Sequence, residues 1–303
     1  MKKLLYRVVW TVLCIGVGAY GALTISSSPA RSHPYFLDLP RDRPVVIAHR
    51  GGADLWPENT IEAFQGALAL GSDVLEMDIY ATADGVPVVI HDETVDRTTN
   101  GTGRVASFTL DELQELDAAY HFSPWNAPDV TPMRGQGVII PTLREVFETF
   151  PEAPMLVEIK ARDEQLVERV LDLVQEFDRP YKTLLASFHH SVLQQIRQRD
   201  PRVATHLSQR EIIPIMVASW FFSGHLFTPS AEAVFVPPRR GILPVATRRF
   251  IHAAQRRNLF FGVWTINEEA EMRRLLARGV QGLLTDRPDL AVSAVTDARY
   301  TRR

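Results

Sequence analysis

Two histidines, an arginine and two carboxylates lie between positions 49 and 92, in Ala48-His49-Arg50-Gly51-Gly52, Glu76-Met77-Asp78 and His91-Asp92, with Pro57-Glu58-Asn59-Thr60 among them. They stand at the ends of apolar runs that read as strands. Together they form a set for hydrolysing a phosphate ester: proton-transfer groups, a positive clamp and oxygen ligands for a hard cation. A phosphodiester repels nucleophiles through its negative charge. A cation and basic side chains must therefore neutralise it and stabilise the more negative transition state. Histidine, with an unperturbed pKa of about 6.5, exchanges protons near neutrality, and two are needed to activate a nucleophile and protonate a leaving alcohol.

The elements around these residues decide whether they can meet. The run over 44–48 is a short strand ending at His49, and positions 59–62 look like a capping box opening a helix through Leu70. A strand over 73–80 puts Glu76 and Asp78 on one face and Leu75, Met77 and Ile79 on the other. Met155-Leu156-Val157-Glu158-Ile159-Lys160 repeats the device with Glu158 and Lys160, so three carboxylates converge from two strands. Strands over 183–187, 202–207, 233–236, 259–265 and 280–285 are interleaved with helices over 162–177, 191–198, 247–257 and 268–278. About eight strands separated by helices in roughly 250 residues predict an α/β fold, a (β/α)8 TIM-type barrel over 44–295. Such barrels carry their chemistry at the C-terminal ends of strands, where His49, Glu76, Asp78, Glu158, Lys160 and Trp264 fall. The stretch over about 84–141 is too long for a barrel connection and reads as a small inserted subdomain carrying His91.

In this order and spacing, His49 to Gly51, Pro57 to Thr60, Glu76 with Asp78, His91 with Asp92, and Glu158 with Lys160 resemble the glycerophosphodiester phosphodiesterase family. The resemblance extends through Val263-Trp264-Thr265-Ile266-Asn267 and Leu284-Thr285-Asp286-Arg287-Pro288. It implies a barrel with an inserted subdomain and one divalent cation held by Glu76, Asp78 and Glu158. It also implies His49 and His91 as the acid–base pair, and Arg50 and Lys160 as the phosphate clamp. The expected reaction releases an alcohol and sn-glycerol 3-phosphate. An all-carboxylate oxygen site suits Mg2+ or Ca2+ better than zinc. Attack by water and attack by the substrate's own glycerol hydroxyl, through a cyclic phosphate, are both open.

Each assignment has a structural rival. His49 could be a satisfied histidine at a strand end, and the three acids could form buried ion pairs with Arg50 and Lys160. Lys160 stands out because the chain has 29 arginines and only four lysines. Trp264 reads as core or as a substrate-pocket wall, and Asn267 as a helix cap or a polar contact. His121, His189, His190, His206, His225 and His252 read as structural or surface residues. The apolar run over 212–227, with Pro214 and Gly224, is too short to span a bilayer and reads as a barrel helix or as a lid admitting an acyl chain. The lid reading keeps lysophospholipase D activity, releasing lysophosphatidic acid from a lysolipid phosphodiester, as the alternative. A non-catalytic barrel that binds a phospholipid headgroup is the third reading.

Lys2, Lys3 and Arg7 precede an uncharged run over 8–28, apolar for most of 8–25. The segment over 1–30 reads as a transmembrane signal anchor, with cleavage after Ala30 and secretion as the alternative. Positive flanks stay cytoplasmic, which puts the barrel on the outer, periplasmic or extracellular side. The Pro-containing stretch over 31–43 reads as a tether and 296–303 as a basic tail. Beyond residue 30 there are 30 basic and 36 acidic residues, which argues against a nucleic-acid surface. No protein partner is expected. The single cysteine, Cys14, lies within the apolar run, so no disulfide forms within the chain.

Overall fold

The computed structural model describes residues 26–297 together with Tyr6, Trp10, Thr11 and Thr24. The expected transmembrane segment and basic tail fall largely outside the described residues. Among the described residues no helix is long and apolar enough to cross a membrane.

The chain enters through a short helix, α1 (Pro34–Leu37), and then alternates strands with helices. Strand β1 (Val45–Ala48) leads to α2 (Ile61–Leu70), and β2 (Val74–Ala81) pairs with the antiparallel β3 (Pro87–Val89). Helices α3 (Leu110–Gln114) and α4 (Leu143–Thr149) precede β4 (Met155–Ile159), which is followed by α5 (Glu164–Glu176) and β5 (Thr183–Ala186). Next come α6 (His190–Arg199), β6 (Ala204–Thr205), α7 (Gln209–Trp220) and β7 (Ala233–Val236). A hairpin, β8 (Arg239–Arg240) with β9 (Leu243–Pro244), precedes α8 (Arg248–Arg256). The chain then runs through β10 (Phe260–Val263), α9 (Glu269–Leu276), β11 (Gly282–Thr285) and α10 (Pro288–Thr296).

Eight parallel strands in the order β6-β5-β4-β2-β1-β11-β10-β7 form a nearly closed barrel. The seam between β6 and β7 is bridged where Leu207 N–H donates to the Ala233 carbonyl at 2.8 Å and Glu232 N–H to the Thr205 carbonyl at 3.1 Å. The strand expected over 202–207 shrinks to two residues at this seam. There the Glu232 carboxylate, rather than a backbone carbonyl, accepts from Thr205 N–H at 3.0 Å.

The period-two alternation of the strands sorts their side chains into layers. Val45, Ile47, Val74, Leu156 and Leu184 fill the barrel interior, while Leu75, Met77, Ile79, Val157 and Ile159 pack outward against the helices. Glu76, Asp78 and Glu158 share the inward face with Val74 and Leu156 but sit further along their strands. The interior is therefore apolar below and acidic above. The stretch expected as a tether instead plugs the apolar end. Tyr35 is buried there, Phe36 stacks on Phe260 at 5.1 Å, and His33 Nε2 contacts the Arg202 carbonyl at 2.6 Å. Its apolar side chains outweigh the linker signal of its prolines. The excursion over 84–141 builds a separate small cluster from Val88, Ile90, Val95, Val105 and Leu113.

Local chemistry sets the loop that carries the first site residues. Thr60 caps α2 by accepting from Ala63 N–H, and Glu62 stands one position too early to close the expected capping box. Arg50 and Gly51 both take left-handed backbone angles, and a Cβ on Gly51 would sit 2.6 Å from the Ala63 Cβ. Helix α7 opens with a capping box, Ser208 with Glu211, whose acid also receives Arg197 at 2.6 Å.

Gly51→Ala should therefore destabilise the fold by about 2 kcal/mol or more and lower the thermal midpoint by on the order of 5 °C, measured by circular dichroism. Burial opposes ionisation of Glu211, yet bonds from Arg197, Ser230 and Ser208 outweigh it and bring the carboxyl from 4.5 down to about 2. A depressed carboxyl stabilises the fold above its unfolded value and loses that contribution as pH falls through its folded one. Glu211→Gln should therefore be less stable than the parent at pH 7. The difference should close as pH falls from 4.5 towards 2.

Candidate active site

Strand register brings the predicted residues together. Pairing Asp78 with Glu158 across β2 and β4 completes the acidic cluster. Pairing Ala48 with Leu75 on one side and with Thr285 on the other sets His49 level with Glu76 and Asp286. One oxygen from each of Glu76, Asp78 and Glu158 lies within 4.8 Å of the others. Lys160 Nζ is 2.9 Å from Asp78 Oδ1 and 3.1 Å from Glu158 Oε1, and Arg50 Nε is 3.3 Å from Asp78 Oδ2. Arg50 N–H donates to Glu76 Oε2 at 2.8 Å, which the left-handed turn at Arg50 makes possible. Both bases expected as a phosphate clamp are thus ion-paired with the acids, as in the structural rival reading.

The two histidines are held alike. His49 Nδ1 donates to Asp286 Oδ1 at 2.6 Å, and His91 Nδ1 to Asp92 Oδ1 at 2.6 Å. A carboxylate beside Nδ1 keeps the proton there and leaves Nε2 as the available nitrogen. Burial disfavours the charged His49 ring, but Glu76 and Asp286 outweigh it and raise its pKa. For His91 burial prevails, assisted by Arg50 and Lys160 against the pull of Asp78, and its pKa falls.

The acids feel one another. Burial, reinforced by Asp78, lifts the Glu76 carboxyl to about 8. Burial also raises Glu158, whereas in Asp78 it is outweighed by Lys160 and Arg50, which hold that carboxyl low. Three hard oxygen donors with too little positive charge to ionise them all fit one divalent cation, whose binding would supply the missing countercharge.

Several supporting residues carried no individual signal in the sequence. Asn59 is tied to Asp78 in both directions, donating to Oδ2 at 3.1 Å and accepting from its N–H at 3.3 Å. Glu58 receives Arg50 at 3.0 Å and Arg97 at 2.7 Å, and Arg97 also donates to Asp92, so one guanidinium links the partners of Arg50 and His91. Asn267, read as a helix cap or a polar contact, makes the polar contact. It donates to Asp286 Oδ2 at 2.7 Å and accepts from Thr285 and the Asp286 N–H, aiming the carboxylate at His49. Asp286 belonged to a quoted motif, but its pairing with His49 depends on barrel closure 237 positions along the chain.

These groups open into a cavity of about 570 Å³ bordered by His49, Arg50, Glu76, His91, Glu158 and Lys160 at one end. Ile212, Ile213, Met216, Phe235 and Trp264 border the rest. Trp264 is a wall of this cavity, with its ring edge-to-face against Phe188 at 5.9 Å. His206, expected to be structural, also borders it. Burial and then Arg197 press its pKa down to about 4, and its Nε2 accepts from Ser187 N–H.

A model of the glycerophosphoryl diester phosphodiesterase family matches residues 49–290. A glycerophosphodiester phosphodiesterase of Caldanaerobacter subterraneus is 32% identical over 256 residues, spanning 83% of this chain and 97% of its own. A human lysophospholipase D is 28% identical over 269 residues, spanning 80% and 83%. Among solved structures, a glycerophosphodiester phosphodiesterase from Agrobacterium tumefaciens aligns with a TM-score of 0.65 at 28% identity, over 83% of this chain and 98% of its own. A phosphodiesterase of Oleispira antarctica, solved with its product sn-glycerol-3-phosphate, shares the fold with a TM-score of 0.68 at 24% identity, over 86% and 98%. The match from the first histidine of the site to the start of the last helix, with a relative covered almost end to end, places the chain in the glycerophosphoryl diester phosphodiesterase family.

Proposed function

We propose that this chain hydrolyses glycerophosphodiesters to an alcohol and sn-glycerol 3-phosphate, with His49 and His91 as the proton-transfer pair. One observation carries the reading. Two imidazoles, each anchored through Nδ1 to its own carboxylate, border the same cavity as the acidic cluster, in a chain of a phosphodiesterase family. One ring takes a proton from the attacking oxygen as the new P–O bond forms, and the other delivers a proton to the departing oxygen as the old bond breaks; water attacking gives glycerol 3-phosphate directly, whereas attack by the glycerol hydroxyl gives a cyclic phosphate that water then opens to the same product. A headgroup-binding barrel has no use for such a pair.

Glu76, Asp78 and Glu158 would hold one divalent cation, Mg2+ or Ca2+. When bound, it supplies positive charge against the phosphoryl oxygens. Arg50 and Lys160 offer more N–H donors than their acid partners use, and these hold the phosphate. Asp286 and Asp92 orient the rings, and Asn267 orients Asp286.

The apolar wall of the cavity supports a second reading, a lysophospholipid substrate whose acyl chain lies along Ile212, Met216 and Phe235 while lysophosphatidic acid is released. The human relative carries that activity in its name. The apolar run over 8–25 serves as a retained membrane anchor that places the barrel on the outer side of the membrane, with secretion after cleavage near Ala30 as the alternative.

Product analysis with glycerophosphocholine and lysophosphatidylcholine in parallel tests both readings. Glycerol 3-phosphate is the expected main product, and lysophosphatidic acid in its place would establish the second. A chelator should abolish turnover and Mg2+ or Ca2+ should restore it. His49→Ala and His91→Ala should each lower kcat/KM by about 10²- to 10⁴-fold. Turnover of neither substrate with metal bound would leave the headgroup-binding barrel. Asp286→Asn removes one of the acids that raise the His49 pKa. In the metal-free protein its imidazole NMR titration should therefore move to lower pH.

A further inference from the structure

Beyond its first turn, helix α7 carries apolar side chains on its inward and outward faces alike. Ile215 is buried against α8, and Ile212 and Met216 border the cavity. Val217 and Trp220 are left facing solvent, followed by Phe221 and Phe222 just beyond the helix end. Trp220 is 48% exposed, Phe221 73% and Phe222 72%. Phe222 takes a left-handed backbone angle that bulky side chains avoid, and its ring lies 4.6 Å from the Arg249 guanidinium. A helix apolar on both faces is ordinarily buried, so this outward side calls for a cover.

Two observations identify it. The chain over 8–25 is uncharged and mostly apolar, and it joins the barrel beside this patch. Ser27 Oγ donates to the His225 carbonyl at 3.0 Å and Ser28 N–H to Thr228 Oγ1 at 3.2 Å, only three and six positions beyond Phe222. The patch also sets aromatic rings beside the exposed Arg249, a pairing suited to the headgroup level of an anionic bilayer.

We infer that Val217, Trp220, Phe221 and Phe222 dock into the surface of a lipid bilayer and hold the apolar side of the cavity beside it. The surface and the chemistry are separable, because the patch contains no group of the acidic site.

The test uses the full chain carrying Trp10→Phe, so that no tryptophan remains in the apolar run. It is reconstituted in vesicles of phosphatidylcholine and phosphatidylglycerol with plain or brominated acyl chains. Bromine should quench part of the tryptophan emission, and that part should vanish when Trp220→Phe is added. Phe221→Asp with Phe222→Asp should reduce the Trp220 quenching several-fold while the circular dichroism spectrum and thermal midpoint stay those of the parent. Trp220 emission indifferent to bromine overturns the inference. A dimer cross-linked through this face would then identify a second copy of the chain as the cover.

Discussion

Three carboxylates in a largely buried pocket repel one another, and the upper half of this barrel is organised around that repulsion. Lys160 and Arg50 are drawn into ion pairs with Asp78 and Glu158. An Arg50 backbone amide is turned onto Glu76 at the cost of a left-handed residue. Even so, Glu76 stays far above an ordinary carboxyl. Replacing the acids with apolar residues would relieve the strain, so their retention points to use rather than stability. A cation among them would meet the same electrostatic demand.

The barrel makes this concentration of charge tolerable by layering. Val74 and Leu156 lie beneath Glu76 and Glu158 on the same inward faces, and Tyr35 with Phe36 closes the far end. The site thus rests on a dry floor, where charge interactions are stronger than in water. Each of the two histidine rings is held by its own acid, and the two acids come from distant parts of the chain. Arg97 then ties the surroundings of His91 to those of Arg50 through Glu58. The excursion over 84–141 is therefore coupled to the barrel loops by charge as well as by the β2–β3 pairing.

The cavity divides into a charged end and an apolar end. At the first, every polar group has a partner that restricts its geometry. At the second, aliphatic and aromatic side chains of α7, β7 and β10 form a wall without directional demands. Such a wall sets few directional demands on what lies against it, unlike the charged end. Because α7 supplies part of this wall and also the exposed aromatic patch, the cavity and the outer surface share one element.

How much could be read in advance follows from the range of each interaction. The spacing of Glu76 and Asp78, and of Glu158 and Lys160, is a local property, because a strand's two-residue period assigns faces without knowledge of neighbours. Alternating strands and helices likewise implied a barrel. Local pattern erred where tertiary contacts took over: Glu62 does not complete the cap of α2, and β6 yields hydrogen bonds to the Glu232 side chain; for Asn267 it left two readings open, and the contact with Asp286 decided between them. The apolar run over 212–227 could not be divided into wall and surface, since hydrophobicity on both faces carries no periodic signal. By itself the sequence determined the residue types and the faces they occupy. Only the tertiary structure decided that His49 meets Asp286, that Glu158 stands beside Asp78 and that Arg97 spans two acids, because register and closure of the sheet depend on pairings between segments far apart in the chain.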